Sequence, residues 1–229
     1  MPRRTDDRAA AASCTEVDTA LGVGRLHRYP ATGRPRAVLA LGHGAGGGVH
    51  ARDLQAIAHA VPATGIDVVL VEQPWAVAGK KIAPAPARLD AGWLALIAAI
   101  KVRDGLPLVV GGRSAGARVS CRTAQEVGAS AVIALAFPLH PPGKLQASRI
   151  DELTSVDLPI AVIQGGRDVF GTASEVTRAV ANYPQIRVTS IADADHGFKV
   201  AAAAALTQAN ALQELVAAVQ WESDRLIGC

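Results

Sequence analysis

The chain is short of cysteine, of net charge and of long apolar runs, and each shortage excludes something. Its three cysteines, Cys14, Cys121 and Cys229, are odd in number and share no short spacing. That excludes a disulfide framework or a four-thiolate zinc site and fits a reducing, cytoplasmic setting. Twenty-three Lys and Arg against 20 Asp and Glu leave a net charge of +3. So small a surplus implies no dedicated polyanion-binding surface, and nucleic acid is not expected as a partner. No apolar run approaches the roughly 18 residues that a membrane-spanning helix needs, so no membrane association is expected. Met1 to Ser13 is charged and Ala-rich and lacks the apolar stretch of a signal peptide, despite the Arg3-Arg4 pair. Residues 1–20 are expected to form a flexible leader, with a single domain over 21–229. With 50% hydrophobic residues in 229, that domain can bury a core without staples.

Short runs rich in Val, Ile and Leu recur at Ala37 to Leu41, Val68 to Val71, Leu106 to Val110, Val132 to Phe137, Ile160 to Ile163 and Ile186 to Ile191. They do not alternate in polarity, which predicts strands buried on both faces of a parallel sheet. Between them lie helical spacings: Leu54, Ile57, Ala58 and Val61; Leu89, Trp93, Leu96, Ile97 and Ile100; Leu206, Leu212, Leu215, Val216 and Val219. Each puts one apolar stripe toward a sheet. Val23 to Tyr29 adds an antiparallel edge strand. The pattern predicts an α/β fold, a three-layer α/β/α sandwich around a mostly parallel sheet of about seven strands. In such sheets, ligands bind beyond the carboxyl ends of the strands.

The most unusual residues fall at those ends. Gly112-Arg113-Ser114-Ala115-Gly116 matches the G-x-S-x-G turn, whose tiny flanking residues let the backbone hold a serine with its hydroxyl exposed. It follows one buried run and opens a helical segment reaching toward Gly128, whose N-terminus favours an oxyanion. The plainer alternative is an ordinary strand-to-helix turn capped by Ser114. A serine hydroxyl needs an imidazole base, and the imidazole an acceptor that fixes its tautomer. His196 follows one strand in a Gly-flanked loop, and Asp168 follows another. The order Ser, Asp, His is the one expected of a parallel sheet that places its nucleophile first. His27, His43, His50, His59 and His140 compete for the base, and Glu72, Asp193 and Asp195 for the acid. Asp195 adjoins His196, so their side chains diverge.

Five glycines between Gly42 and Gly48 cost backbone entropy. In acyl transfer such a loop lets a main-chain N–H approach the developing oxyanion. The Ala45 amide is the chosen donor, paired with that of Ala115; His43 reads as a structural residue that hydrogen-bonds the loop. The same glycines fit G-x-G-x-x-G as Gly42, Gly44 and Gly47, with Glu72 ending the next strand where a ribose would bind. A dinucleotide-dependent oxidoreductase is therefore an alternative, although it leaves Ser114, Asp168 and His196 without a role. No Walker lysine follows the glycines, and no closely spaced donor set suggests a metal.

The Leu41 to Gly47 loop, the Gly111 to Arg118 elbow, the Gln164 to Asp168 turn and Asp195-His196-Gly197-Phe198 together resemble the α/β-hydrolase superfamily. Arg113 before the serine, and Phe137 to Lys144, are similar to the small dienelactone-hydrolase-like group of testis-expressed-protein-30-like hydrolases. The likeness runs from about Leu39 to the C-terminus. It implies Ser114 as nucleophile, His196 as base and Asp168 as acid, with no cofactor and a small-molecule ester-type substrate. Some relatives act as scaffold subunits, which leaves a non-catalytic binding protein as another alternative. Only about 20 residues separate Leu139 from Pro159, too few for a large cap domain. An open site suits small esters, thioesters or lactones. Trp75, His140, Phe170 and Phe198 follow their strands and are expected to line the pocket, unless they simply cover the sheet edge. Lys80 and Lys81 could attract an anion or form a solvated loop. A homo-oligomer is left open.

Overall fold

The computed structural model describes residues 12–103 and 105–228. Eight strands form one sheet, one more than the seven or so expected. They are β1 (Ser13–Thr19), β2 (Gly22–Tyr29), β3 (Ala37–Gly42), β4 (Ile66–Glu72), β5 (Leu108–Arg113), β6 (Ala131–Leu135), β7 (Ile160–Gly165) and β8 (Ile186–Ile191). The additional strand is β1, which corrects the leader expected over 1–20. Its residues 13–19 pair antiparallel with β2, from Ser13 opposite Arg28 to Thr19 opposite Gly22. Residues 1–11 of that leader lie outside the described residues. Most side chains of β1 are exposed. An edge strand with little to bury carries no apolar run, and so its polar sequence resembles a loop.

The strand order is β1-β2-β4-β3-β5-β6-β7-β8. β2 runs antiparallel to β4, and every pair from β4 to β8 is parallel. Among the described residues, seven α-helices accompany the strands: α1 (Arg52–Ala60), α2 (Pro74–Val77), α3 (Pro86–Ala98), α4 (Ala115–Thr123), α5 (Asp151–Thr154), α6 (Ala173–Ala179) and α7 (Gln208–Ile227). α2 and α3 open on Pro74 and Pro86, where a missing N–H costs nothing. The Thr207 side chain caps α7 by accepting from the Asn210 amide. α7 buries Ala211, Leu215, Val219 and Leu226; Leu206, expected on its stripe, precedes it.

Successive residues of a strand face opposite ways. Leu39 and Leu41 pack with Leu54, Ile57 and Leu215 from α1 and α7, while Val38 and Ala40 pack with Trp93, Leu96 and Val119 from α3 and α4. Both faces of the central strands are therefore apolar. The chain leaves β3 for β4 on one side and later crosses to β5 on the other. The loops after β3 and β5 thus diverge at a topological switch point, where a crevice forms.

Candidate active site

Ser114 occupies the turn between β5 and α4 with φ 55° and ψ −108°, a conformation that side chains rarely adopt. Such backbone strain costs on the order of 1–3 kcal/mol. Two main-chain bonds offset it: the Ser114 N–H donates to the Leu135 carbonyl at 3.0 Å, and the Arg118 N–H to the Ser114 carbonyl at 3.1 Å. The flanking glycines allow β3 to come close. A Cβ on Gly112, where φ is 150°, would stand 2.3 Å from the Gly42 carbonyl oxygen, and one on Gly116 2.4 Å from it.

The imidazole of His196, in the loop between β8 and α7, reaches this hydroxyl. Its Nε2 lies 2.9 Å from Ser114 Oγ, and its Nδ1 lies 2.8 Å from Asp168 Oδ2. With the proton on Nδ1, the ring donates to the carboxylate and accepts from the serine hydroxyl. Asp168 is buried. Its Oδ1 accepts from the Phe170 N–H at 2.8 Å, and its Oδ2 also accepts from Gln164 Nε2 at 3.0 Å. The Phe170 ring covers His196 with centroids 4.2 Å apart. Asp195 shapes the same loop instead of orienting the ring: its Oδ1 accepts from the Gly197 and Lys199 amides at 2.7 and 2.9 Å.

The rival histidines have other partners. His27 Nε2 lies 2.9 Å from Glu72 Oε2, and His59 packs edge-on against Tyr29. His43 is buried, with Nδ1 2.8 Å from the Gly44 carbonyl and Nε2 accepting from the Gln73 N–H at 3.1 Å. Burial pushes its protonation below the ordinary imidazole value, so it ties the glycine loop to the end of β4 as a neutral ring. His50 lines the cleft and is exposed. The Glu72 carboxylate that a dinucleotide site would turn toward a ribose is bonded to His27.

A cleft of about 630 Å3 opens over Ser114 and His196, lined also by Ala45, Arg113, Phe170 and Lys199. Ala45 comes from the loop after β3. Ala115 is the first residue of α4, where N–H groups have no intrahelical acceptor. Of the four side chains expected to line the pocket, Phe170 does so and three need correction. Phe198, with a φ of 52°, is fully buried in the core with Leu215 and Val219 of α7. His140 is 5% exposed; its Nδ1 lies 3.0 Å from the Pro141 carbonyl, and its N–H donates to the Phe170 carbonyl at 3.0 Å. It braces the loop behind Phe170. Trp75 faces an adjoining hollow of about 380 Å3 across the glycine loop, together with Lys80 and Lys81.

Three residues have roles in the site that the sequence did not assign. Gln164, fully buried on β7, donates to Asp168 and to the carbonyls of Phe137 and Gly171, and its Oε1 accepts from the Phe137 N–H. Its one signal is a polar residue inside an apolar strand. Arg113 and the buried Asp53 of α1 form an ion pair at 3.3 Å beside the elbow; nothing in the α1 sequence marks Asp53. Among the described residues, no cluster of His, Cys, Asp or Glu has a metal-binding arrangement, and no helix is long and apolar enough to cross a membrane.

A parallel sheet with a strained serine turn, an imidazole and a buried carboxylate at its carboxyl edge defines the class of α/β hydrolases. An alpha/beta hydrolase domain model matches residues 35–222, and the chain belongs to that family. No curated protein matches this chain. Among solved structures, a lidless α/β serine hydrolase from Xanthomonas campestris is similar at 20% identity and a TM-score of 0.71, over 92% of this chain and 94% of that one. A dienelactone hydrolase from Anabaena variabilis is similar at 15% identity and a TM-score of 0.72, over 94% and 99%. Est1E from Butyrivibrio proteoclasticus gives 12% identity and a TM-score of 0.73, over 94% and 99%. At these identities, the likeness is one of fold.

Proposed function

We propose that this chain is a serine hydrolase that cleaves a small carboxylic ester, thioester or lactone through an acyl-enzyme. The observation that carries the reading is the unbroken hydrogen-bond relay from Ser114 Oγ through His196 to Asp168. Ser114 Oγ bonds to the substrate carbonyl carbon as His196 Nε2 takes the hydroxyl proton. The Ala45 and Ala115 amides hold the resulting oxyanion. Collapse breaks the bond to the leaving oxygen or sulfur, which receives the proton from His196. Water then repeats the sequence, releasing the acid and restoring Ser114. Phe170 over the imidazole walls the acyl site, and the short segment between β6 and β7 supports small substrates. From the few cysteines and the small net charge, we also propose a soluble enzyme of the cytoplasm without a nucleic-acid partner.

A fluorophosphonate probe tests it. Wild-type protein is expected to be labelled at Ser114 and to hydrolyse p-nitrophenyl acetate, and Ser114→Ala to do neither while unfolding at the same temperature. Folded wild-type protein that resists the probe and leaves the ester intact would favour the non-catalytic binding alternative.

A further inference from the structure

Arg113 fills the variable position of the G-x-S-x-G turn, yet its side chain is only 12% exposed. The guanidinium reaches away from β5 and meets helix α1 and the glycine loop. Nε lies 3.3 Å from Oδ2 of Asp53, which is itself 2% exposed, and Nη2 donates to the Gly46 carbonyl. It lies in space that glycines leave open: a Cβ on Gly44 would stand 3.1 Å from Nη2, and one on Gly197 3.7 Å from Nη1. One planar group thus joins the serine elbow, the glycine loop after β3 and helix α1, and borders the histidine loop.

We propose that Arg113 is a positioning residue: with Asp53 as its anchor, it clamps the glycine loop at Gly46 and so fixes the aim of the neighbouring Ala45 amide beside Ser114. This rests on the hydrolase reading above. A loop of five glycines in seven residues does not hold one N–H to the tolerance that oxyanion stabilisation requires unless something outside it does. A buried Arg–Asp pair is weak as a source of stability, because desolvation offsets the attraction. Burial pushes the Asp53 carboxyl up while Arg113 pulls it back. What the pair supplies is geometry: the Asp53 carboxylate holds the rigid, planar guanidinium by charge at 3.3 Å while Nη2 bonds the Gly46 carbonyl, an arrangement that a flexible ammonium does not reproduce.

The test compares Arg113→Met, Arg113→Lys and Asp53→Asn with wild type, by kcat and KM on p-nitrophenyl acetate and by fluorophosphonate labelling rate, with thermal unfolding to establish the folded fraction. Arg113→Met is expected to lose about 10- to 100-fold in kcat and in labelling rate while KM stays within about threefold. Lysine is expected to recover part of the loss, and Asp53→Asn to fall by a smaller factor in the same direction. If Arg113→Met does not fold, the other two variants carry the same comparison. Folded variants with wild-type kcat overturn the proposal, even where the unfolding temperature drops, as does a rise confined to KM. A wild-type protein silent toward both reagents sinks the hydrolase reading and this inference with it. An active wild type with unaltered variants sinks the inference alone.

Discussion

Gly116→Ala sets two effects of opposite sign against each other. Gly116 lies in the first turn of α4 without a left-handed φ. Helix propensity alone favours alanine there, by about 1 kcal/mol in a helix interior. Sterics oppose it. The new Cβ would stand 2.4 Å from the Gly42 carbonyl oxygen and 2.5 Å from its carbon, where ordinary contact begins near 3.4 Å. The obstacle is main chain at the end of β3, so no rotamer relieves it, and β3 and α4 must part by about 1 Å. Overpacking of this kind costs about 1–3 kcal/mol, enough to cancel the propensity gain and leave a net loss. The same displacement moves the glycine loop relative to Ser114, and an error of that size is expected to slow acylation about 100-fold. Urea unfolding gives the stability, and fluorophosphonate labelling of the folded protein gives the rate. A Gly116→Ala variant as stable and as reactive as wild type would refute the close approach of β3 to the elbow.

Two further perturbations probe the supports of the site and the sheet. Gln164→Leu preserves volume but leaves the Phe137 amide and the Phe137 and Gly171 carbonyls without their side-chain partner, and Asp168 without one donor. At about 1–3 kcal/mol per unmet buried group, a stability loss of about 3 kcal/mol or more is expected in urea unfolding, with lower kcat in what remains folded. Glu72 is held below its ordinary value of 4.5 chiefly by the hydrogen bond from His27. A depressed carboxyl stabilises the fold fully above about pH 4.5 and less as pH falls through its folded value. Glu72→Gln is therefore expected to lower the urea midpoint at pH 7, and the gap from wild type is expected to narrow below pH 4.5. A gap independent of pH would count against the pair.

Seven of the eight strands were legible because most are buried on both faces, and burial writes itself into sequence as unbroken Val, Ile and Leu. β1 was not: both β1 and β8 are edge strands, but β8 buries Ile186 and Ile191, whereas β1 has no buried residue and so carries no apolar signal. The elbow was legible for a similar reason: contact with Gly42 admits no Cβ at positions 112 and 116. His196 and Asp168 were legible as residues just past strand ends, and His43 read as a brace of the glycine loop, but sequence could not dismiss His27 or name the partner of His43. Their partners, Glu72 and the Gln73 amide, are neighbours only after β2 pairs with β4 and the glycine loop folds back. Phe198 misled because an aromatic just past a strand end fits a pocket wall and a core position equally well, and here it lies in the core. Asp53 and Arg113 were hidden because their pairing is set by how α1 lies against the elbow, which no periodicity records.

Between β6 and β7 the chain has only residues 136–159, with the four-residue α5 as its one helix, so among the described residues this connection supplies no domain to roof the cleft. Any serine ester formed at position 114 is consequently exposed to bulk solvent from the moment the leaving group departs. Dissolved alcohols or amines would have to intercept it against an unrestricted supply of water. On the proposed mechanism the expected end product is then the free acid.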